Sequence, residues 1–135
     1  MSNLNLLTYS ISSLGVFTLL YKFIRFIRAK HLAKTYFKDK TVLITGASSG
    51  LGKSLAEELY PLGAQLIICA RNNDELVKLK QNLMRMPGKE PEILNLDVSS
   101  KLEIVKPKID ALYKKFHRID ILINNAGVSY RGDVI

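Results

Sequence analysis

A glycine-rich stretch between an apolar run and an amphipathic run most constrains how this chain can fold. Residues 41–44 are apolar, Thr45–Gly52 follows with three glycines, and a stretch with leucines at helical spacing comes next. A strand that turns through glycines into a helix gathers backbone N–H groups and the positive end of the helix dipole at one point. Such a point attracts a pyrophosphate, so the stretch predicts a dinucleotide site.

From residue 41 onward, apolar runs alternate with stretches of helical periodicity. The predicted strands are 41–45, 65–70, 92–96 and 119–123, and the predicted helices are 50–60, 73–86 and 100–116. Asn72 and Ser100 each precede a glutamate by three residues, as in a capping box, and Pro107 is expected either to kink its helix or to mark its true start. The alternation predicts an α/β fold, a Rossmann-like doubly wound parallel sheet of strand order 3-2-1-4.

The first 27 residues have a different composition from the rest. Residues 1–21 carry no charged side chain, and the apolar stretch extends to Ile27 despite several Ser, Thr and Asn. Its length suits a helix that crosses a bilayer. We therefore predict a transmembrane signal-anchor over 1–27, a basic linker over 28–40 and a cofactor-binding domain over 41–135. A cleaved signal peptide and a helix lying in the membrane interface are the alternatives.

The positive charge of the chain is concentrated behind this apolar stretch. The net charge is +8, and residues 1–40 hold seven basic residues and one acidic residue. A basic flank next to an apolar stretch is typical of a membrane protein, and we expect the lipid bilayer rather than nucleic acid as partner. The positive-inside rule places the C-terminal part in the cytosol, and the endoplasmic reticulum is the expected membrane.

The end of the second predicted strand indicates which dinucleotide binds. Proteins that bind NAD commonly place Asp or Glu there to accept from the ribose 2′-OH. This chain has Ala70, followed by Arg71, whose guanidinium group can pair with a 2′-phosphate. The two residues favour NADP over NAD. Alternatively, Arg71 is a solvated loop residue without a binding role.

Three motifs together resemble the short-chain dehydrogenase/reductase family. Thr45-Gly46-x-x-x-Gly50-x-Gly52 is similar to its cofactor motif, Asp97-Val98 to its adenine-binding position, and Asn124-Asn125-Ala126-Gly127 to its second motif. The stretch 119–132 resembles a membrane-anchored subgroup of that family. The predicted cofactor-binding residues are Thr45, Gly46, Ser48, Ser49, Gly50, Leu51, Gly52, Arg71, Asp97, Val98, Asn124, Asn125, Ala126 and Gly127.

The resemblance also implies what this chain lacks. The family's catalytic Ser and Tyr-x-x-x-Lys are expected beyond residue 135, so no catalytic residue is assigned here. Tyr36 and Lys40 have the Tyr–Lys spacing but precede the first strand, and no metal site is expected. We therefore expect an NADP(H)-dependent oxidoreductase of carbonyl or alcohol substrates, present as an inactive N-terminal fragment. The full-length protein could form a homo-oligomer, and a non-catalytic membrane-tethered binding module is the alternative.

Overall fold

The computed structural model describes the backbone of residues 2–127 and the side-chain environment of residues 16–127. The elements are α1 (Ser2–Phe37), β1 (Thr41–Thr45), α2 (Gly50–Leu59), a 3-10 turn (Tyr60–Leu62), β2 (Gln65–Ala70), α3 (Asn73–Leu83), β3 (Glu92–Asn95), α4 (Leu102–Phe116) and β4 (Ile121–Ile123). The last part of the family-like stretch, residues 128–132, lies outside the described residues. The chain divides into two compact units, residues 1–35 and residues 36–135.

The second unit is built on a four-stranded parallel sheet of order β3-β2-β1-β4. This confirms the predicted order 3-2-1-4. The register pairs Leu43 with Ile67 and with Leu122, so β1 lies between β2 and β4. Asp120 secures the start of β4, because its Oδ2 accepts from the Thr41 N–H at 2.8 Å and its N–H donates to the Thr41 carbonyl at 2.9 Å.

Helices cover both faces of the sheet, as the apolar strands predict. Because alternate residues of a strand point to opposite faces, β1 and β2 contribute to two separate cores. One core joins strand residues to α2 and α3 and contains Val42, Ile44, Leu66, Ile68, Ala56, Leu59, Leu76, Leu79 and Leu83. The other joins them to α4 and contains Leu43, Ile67, Cys69, Leu94, Leu96 and Leu112. Each fully buried Leu or Ile contributes about 1.5–3 kcal/mol.

Several predicted boundaries are wrong by a few residues. β3 and β4 are shorter than predicted, and α3 ends at Leu83 instead of residue 86. The N-cap of α4 is Lys101 and not Ser100, so the second predicted capping box does not form. Pro107 lies in the interior of α4 and does not mark its start. The first capping residue is confirmed, since Asn72 Oδ1 accepts from the Glu75 N–H at 3.2 Å.

The N-terminal segment forms one continuous helix, α1. The helix continues through most of the predicted basic linker and ends at Phe37. Its large apolar side chains from Val16 to Ile27 are exposed. Within residues 2–127, no helix combines the length and the apolarity needed to cross a membrane.

Candidate functional site

The glycine turn follows β1 and leads directly into α2. Gly46 and Gly50 have φ angles of +67° and +52°, a left-handed conformation that residues with a Cβ rarely adopt. The N-cap of α2 is Ser49, whose side chain makes no capping hydrogen bond. The first turn of α2 contains no acidic residue, whereas that of α3 contains Asp74 and Glu75. The start of α2 therefore suits an anionic ligand.

Gly52 lies where the backbone of the glycine turn and the side chain of Asn125 both come close to α2. A Cβ on Gly52 would collide with the Gly46 carbonyl oxygen and would lie 2.5 Å from Asn125 Nδ2. A Cβ on Gly46 would lie 2.9 Å from the Cα of Ala126. The two glycines thus allow the glycine turn to pack directly against the segment that follows β4.

Thr45 and Asn125 fasten these two segments together. Thr45 Oγ1 accepts from the N–H groups of Asn125 and Ala126, both at 3.0 Å. Asn125 Nδ2 donates to the carbonyl oxygens of Thr45 at 3.2 Å and Gly46 at 3.3 Å. We call the resulting surface, residues 46–52 with 125–127, the glycine side of the site.

A second surface, residues 70–72 with 96–99, lies at the ends of β2 and β3, and we call it the arginine side. Arg71 Nη1 lies 3.9 Å from Asp97 Oδ2, and both side chains are exposed to solvent. Asp97 Oδ1 accepts from the Ser99 hydroxyl at 2.7 Å and from its N–H at 2.9 Å. These hydrogen bonds, together with the charge of Arg71, lower the pKa of the Asp97 carboxyl, so it is ionised at neutral pH.

The two sides enclose a cavity of about 600 Å³. Most predicted cofactor residues line it: Gly46, Ser48, Ser49, Leu51, Arg71, Asp97, Val98, Asn125, Ala126 and Gly127. Four predicted residues, Thr45, Gly50, Gly52 and Asn124, do not line it. Thr45 and Gly52 shape the glycine side from behind, through the hydrogen bonds and the close packing described above, and Gly50 supplies the left-handed backbone conformation at the start of α2. The cavity lies beyond the carboxyl ends of the parallel strands, where such folds bind their ligands.

The cavity also contains lining residues that sequence reasoning did not assign to the site. These are Cys69, Asn72, Leu96 and Ser99, together with Ala70, whose sequence position indicates only the choice of cofactor. Their position at or just beyond the ends of β2 and β3 was the available signal. Burial raises the pKa of the Cys69 thiol to about 11, so the thiol is neutral at physiological pH.

The sheet order, the glycine turn and the cavity at the strand ends define a dinucleotide-binding α/β protein. The family described as short chain dehydrogenase matches residues 40–134, most of the chain. The chain therefore belongs to the short-chain dehydrogenase/reductase family.

Two curated relatives extend this comparison. Dehydrogenase/reductase SDR family member 7B of Xenopus tropicalis is 37% identical over 130 residues, which cover 93% of this chain and 40% of the relative. Dehydrogenase/reductase SDR family protein 7-like of Drosophila melanogaster is 42% identical over 98 residues, which cover 70% of this chain and 30% of the relative. The chain thus spans 40% or less of the length of these two relatives.

Two solved structures share the fold of this chain, and the match again covers less than half of each solved chain. A metagenomic short-chain oxidoreductase in complex with NADP has 29% identity and a TM-score of 0.64, with coverage of 68% of this chain and 41% of that one. A β-ketoacyl-[ACP] reductase from Bacteroides thetaiotaomicron has 30% identity and a TM-score of 0.62, with coverage of 67% and 41%.

Proposed function

We propose that this chain binds NADP(H) as the cofactor-binding part of an oxidoreductase that acts on a carbonyl or alcohol substrate. The observation that carries the proposal is the pairing of an acid-free helix start on the glycine side with Arg71 on the arginine side of one cavity. The bound nicotinamide would supply hydride exchange. The chain's own residues bind and orient the cofactor.

The glycine side suits the pyrophosphate. Ser48 and Ser49 line the cavity next to the N-terminus of α2, and the Ser49 side chain makes no capping hydrogen bond there. Backbone N–H groups at a helix start interact with phosphate oxygens through hydrogen bonds and the helix dipole. Because Gly46 has no Cβ, the ligand can approach the backbone closely.

The arginine side favours NADP over NAD. Ala70 offers no carboxylate to a ribose diol, and the exposed guanidinium group of Arg71 is free to reorient from its long contact with Asp97 toward a 2′-phosphate. An exposed ion pair at such a distance is worth little, so exchanging it for a doubly charged phosphate is favourable. Asp97 and Val98 would then face the adenine.

Nucleotide titration tests this proposal on the 135-residue chain. NADPH should bind at least about tenfold more tightly than NADH, and Arg71→Gln should remove this difference by weakening NADPH alone. Arg85→Gln, which removes an exposed arginine outside the cavity, is the matched control and should change neither affinity. Equal binding of NADPH and NADH by the unmodified chain would contradict the choice of NADP.

We further propose that α1 attaches the chain to a membrane, which we expect to be the endoplasmic reticulum. In support, nine large apolar side chains in the stretch 16–27 of α1 are between 43% and 68% exposed: Val16, Phe17, Leu19, Leu20, Tyr21, Phe23, Ile24, Phe26 and Ile27. Apolar surface on that scale usually marks a partner or a lipid phase. The chain should float with phosphatidylcholine vesicles in a density gradient, and a chain that stays at the bottom would contradict attachment.

A further inference from the structure

Five basic residues of α1 stand out because the helix contains no acidic residue. We call them the basic segment, which consists of Lys22, Arg25, Arg28, Lys30 and Lys34. Eight ion pairs occur among residues 16–127, and none of them includes a residue of this segment. In the second unit, by contrast, Lys and Arg side chains repeatedly pair with Asp or Glu. The second unit thus balances much of its positive charge, whereas the basic segment has no acidic residue between Lys22 and Lys34 to pair with.

The charge is segregated along the helix axis and not around it. Successive residues of a helix are rotated by about 100°, so the five basic residues are spread around the circumference and α1 has no single charged face. Along the axis the change is abrupt, because residues 1–21 are uncharged and the basic segment starts at Lys22. The helix dipole stabilises cations only within the last turn of a helix, and the last turn of α1 contains Lys34 as its one basic residue. The dipole therefore does not explain the other four.

Aromatic side chains mark the junction between the two parts. Tyr21 is about half exposed, and the Arg25 guanidinium carbon lies 5.9 Å from the centre of its ring. Phe23 and Phe26 are exposed on either side of Arg25. Tyr with Lys or Arg at the end of an apolar helix suits the boundary between hydrocarbon and headgroups.

We propose that the basic segment binds an anionic lipid surface, with Lys22 and Arg25 in contact with the headgroups. This inference rests on the proposed attachment of α1 to a membrane and adds the lipid class that α1 selects. The rise of about 1.5 Å per residue places Lys30 about 12 Å and Lys34 about 18 Å beyond Lys22 along the axis. Both distances exceed the Debye length of about 8 Å at physiological salt, so their contribution should be smaller.

Vesicle flotation of the full chain tests the proposal. Vesicles of phosphatidylcholine alone are compared with vesicles that contain about 30% phosphatidylserine, a typical source of negative surface potential. The anionic vesicles should bind the chain at least about tenfold more tightly at low salt, and high salt should abolish this preference.

Paired variants locate the contact. Lys22→Gln/Arg25→Gln should weaken binding to anionic vesicles by about 10- to 30-fold, because each basic residue near the surface contributes about fivefold. Lys30→Gln/Lys34→Gln should weaken it by about threefold or less. Arg85→Gln/Lys114→Gln removes the same net charge from exposed positions of the second unit and should have no effect.

Four outcomes would overturn the inference. Equal binding to both kinds of vesicle would remove the lipid selectivity while leaving membrane attachment intact, whereas binding to neither would contradict both proposals. Equal losses for the two α1 pairs would indicate a helix lying along the surface and would contradict the axial contact. Displacement of the chain from anionic vesicles by duplex DNA at equal charge concentration would assign the basic segment to nucleic acid.

Discussion

The glycine side and the arginine side of the cavity are built by different means. On the glycine side, Thr45 is buried and Asn125 is partly buried, and they take part in four hydrogen bonds between two segments about 80 residues apart. On the arginine side, Arg71 and Asp97 are exposed and meet only at 3.9 Å. One side is fixed before a ligand arrives, and the other is free to adjust. Substitutions on the glycine side should therefore affect folding and binding together, and those on the arginine side binding alone.

The largest effect should come from adding one methyl group at Gly52. Gly52→Ala places a Cβ against the Gly46 carbonyl and Asn125 Nδ2, so the two segments must separate. We expect a loss of about 3 kcal/mol in the free energy of unfolding, measured by urea denaturation, and loss of detectable nucleotide binding.

Gly50→Ala is the matched control for this prediction. Its Cβ would meet nothing within 4 Å, although the φ of +52° adds strain of about 1 kcal/mol. Equal destabilisation by the two substitutions would show that close approach is not what Gly52 provides.

A smaller effect is expected from the hydroxyl of Thr45. Thr45→Val keeps the shape but leaves the N–H groups of Asn125 and Ala126 without their acceptor. The free energy of unfolding should fall by about 2 kcal/mol, since each unsatisfied group costs about 1–3 kcal/mol when buried and less when partly exposed. Thr45→Ser retains the hydroxyl and should recover most of the loss in the same denaturation assay. A stable Thr45→Val variant would contradict the fixed character of the glycine side.

Cys69, which lies under the arginine side, should make stability depend on alkaline pH. Its folded pKa is raised from 9.0 to about 11, so the unfolded chain loses this proton first as the pH rises. The stabilisation is complete below pH 9 and is lost between pH 9 and about 11. The loss of stability at pH 10, relative to pH below 9, should amount to about 1 kcal/mol. Urea denaturation of the unmodified chain and of Cys69→Ala at pH 8 and pH 10 measures this loss. Cys69→Ala should not show it, because the variant has no thiol at this position to ionise.

The smallest effect is expected at Asp97. Its side chain is exposed, and its partners Ser99 and Arg71 are exposed as well, so water replaces them readily. Asp97→Asn should leave Tm unchanged within error while altering nucleotide affinity. A clear fall in Tm, measured by thermal denaturation, would mean that the arginine side is as structurally constrained as the glycine side.

The same contrast explains what the sequence could predict. The sheet order and the positions of the three motifs followed from the alternation of strands and helices, because parallel strands bring their carboxyl ends to one edge. The failure of the Ser100 cap is a local event, since Lys101 occupies the N-cap and Asp97 engages Ser99 instead. The packing of Gly52 against Asn125 joins residues distant in sequence, and no pattern within either segment reveals it.

Cys69 and Leu96 show a further limit of sequence reasoning. Both lie in predicted strands and neither is among the predicted site residues, yet both line the cavity. A side chain at the carboxyl end of a strand can pack on the core and face a ligand at once. Whether a given side chain also faces the ligand depends on the residue at which its strand ends, and β3 ends one residue earlier than predicted.

The pairing of β4 with β1 affects the order in which the parts of the second unit can fold during synthesis. β1 and β2 are joined by a short connection, as are β2 and β3, whereas the pair Val42 and Ile121 closes a loop of nearly the whole second unit. Closing this longer loop costs about 1 kcal/mol more than pairing β1 with β2, and it must wait until Ile121 has been synthesised. The arginine side can therefore assemble on the nascent chain while the glycine turn still lacks its partner segment, residues 125–127, and the cavity is complete only after β4 has been added.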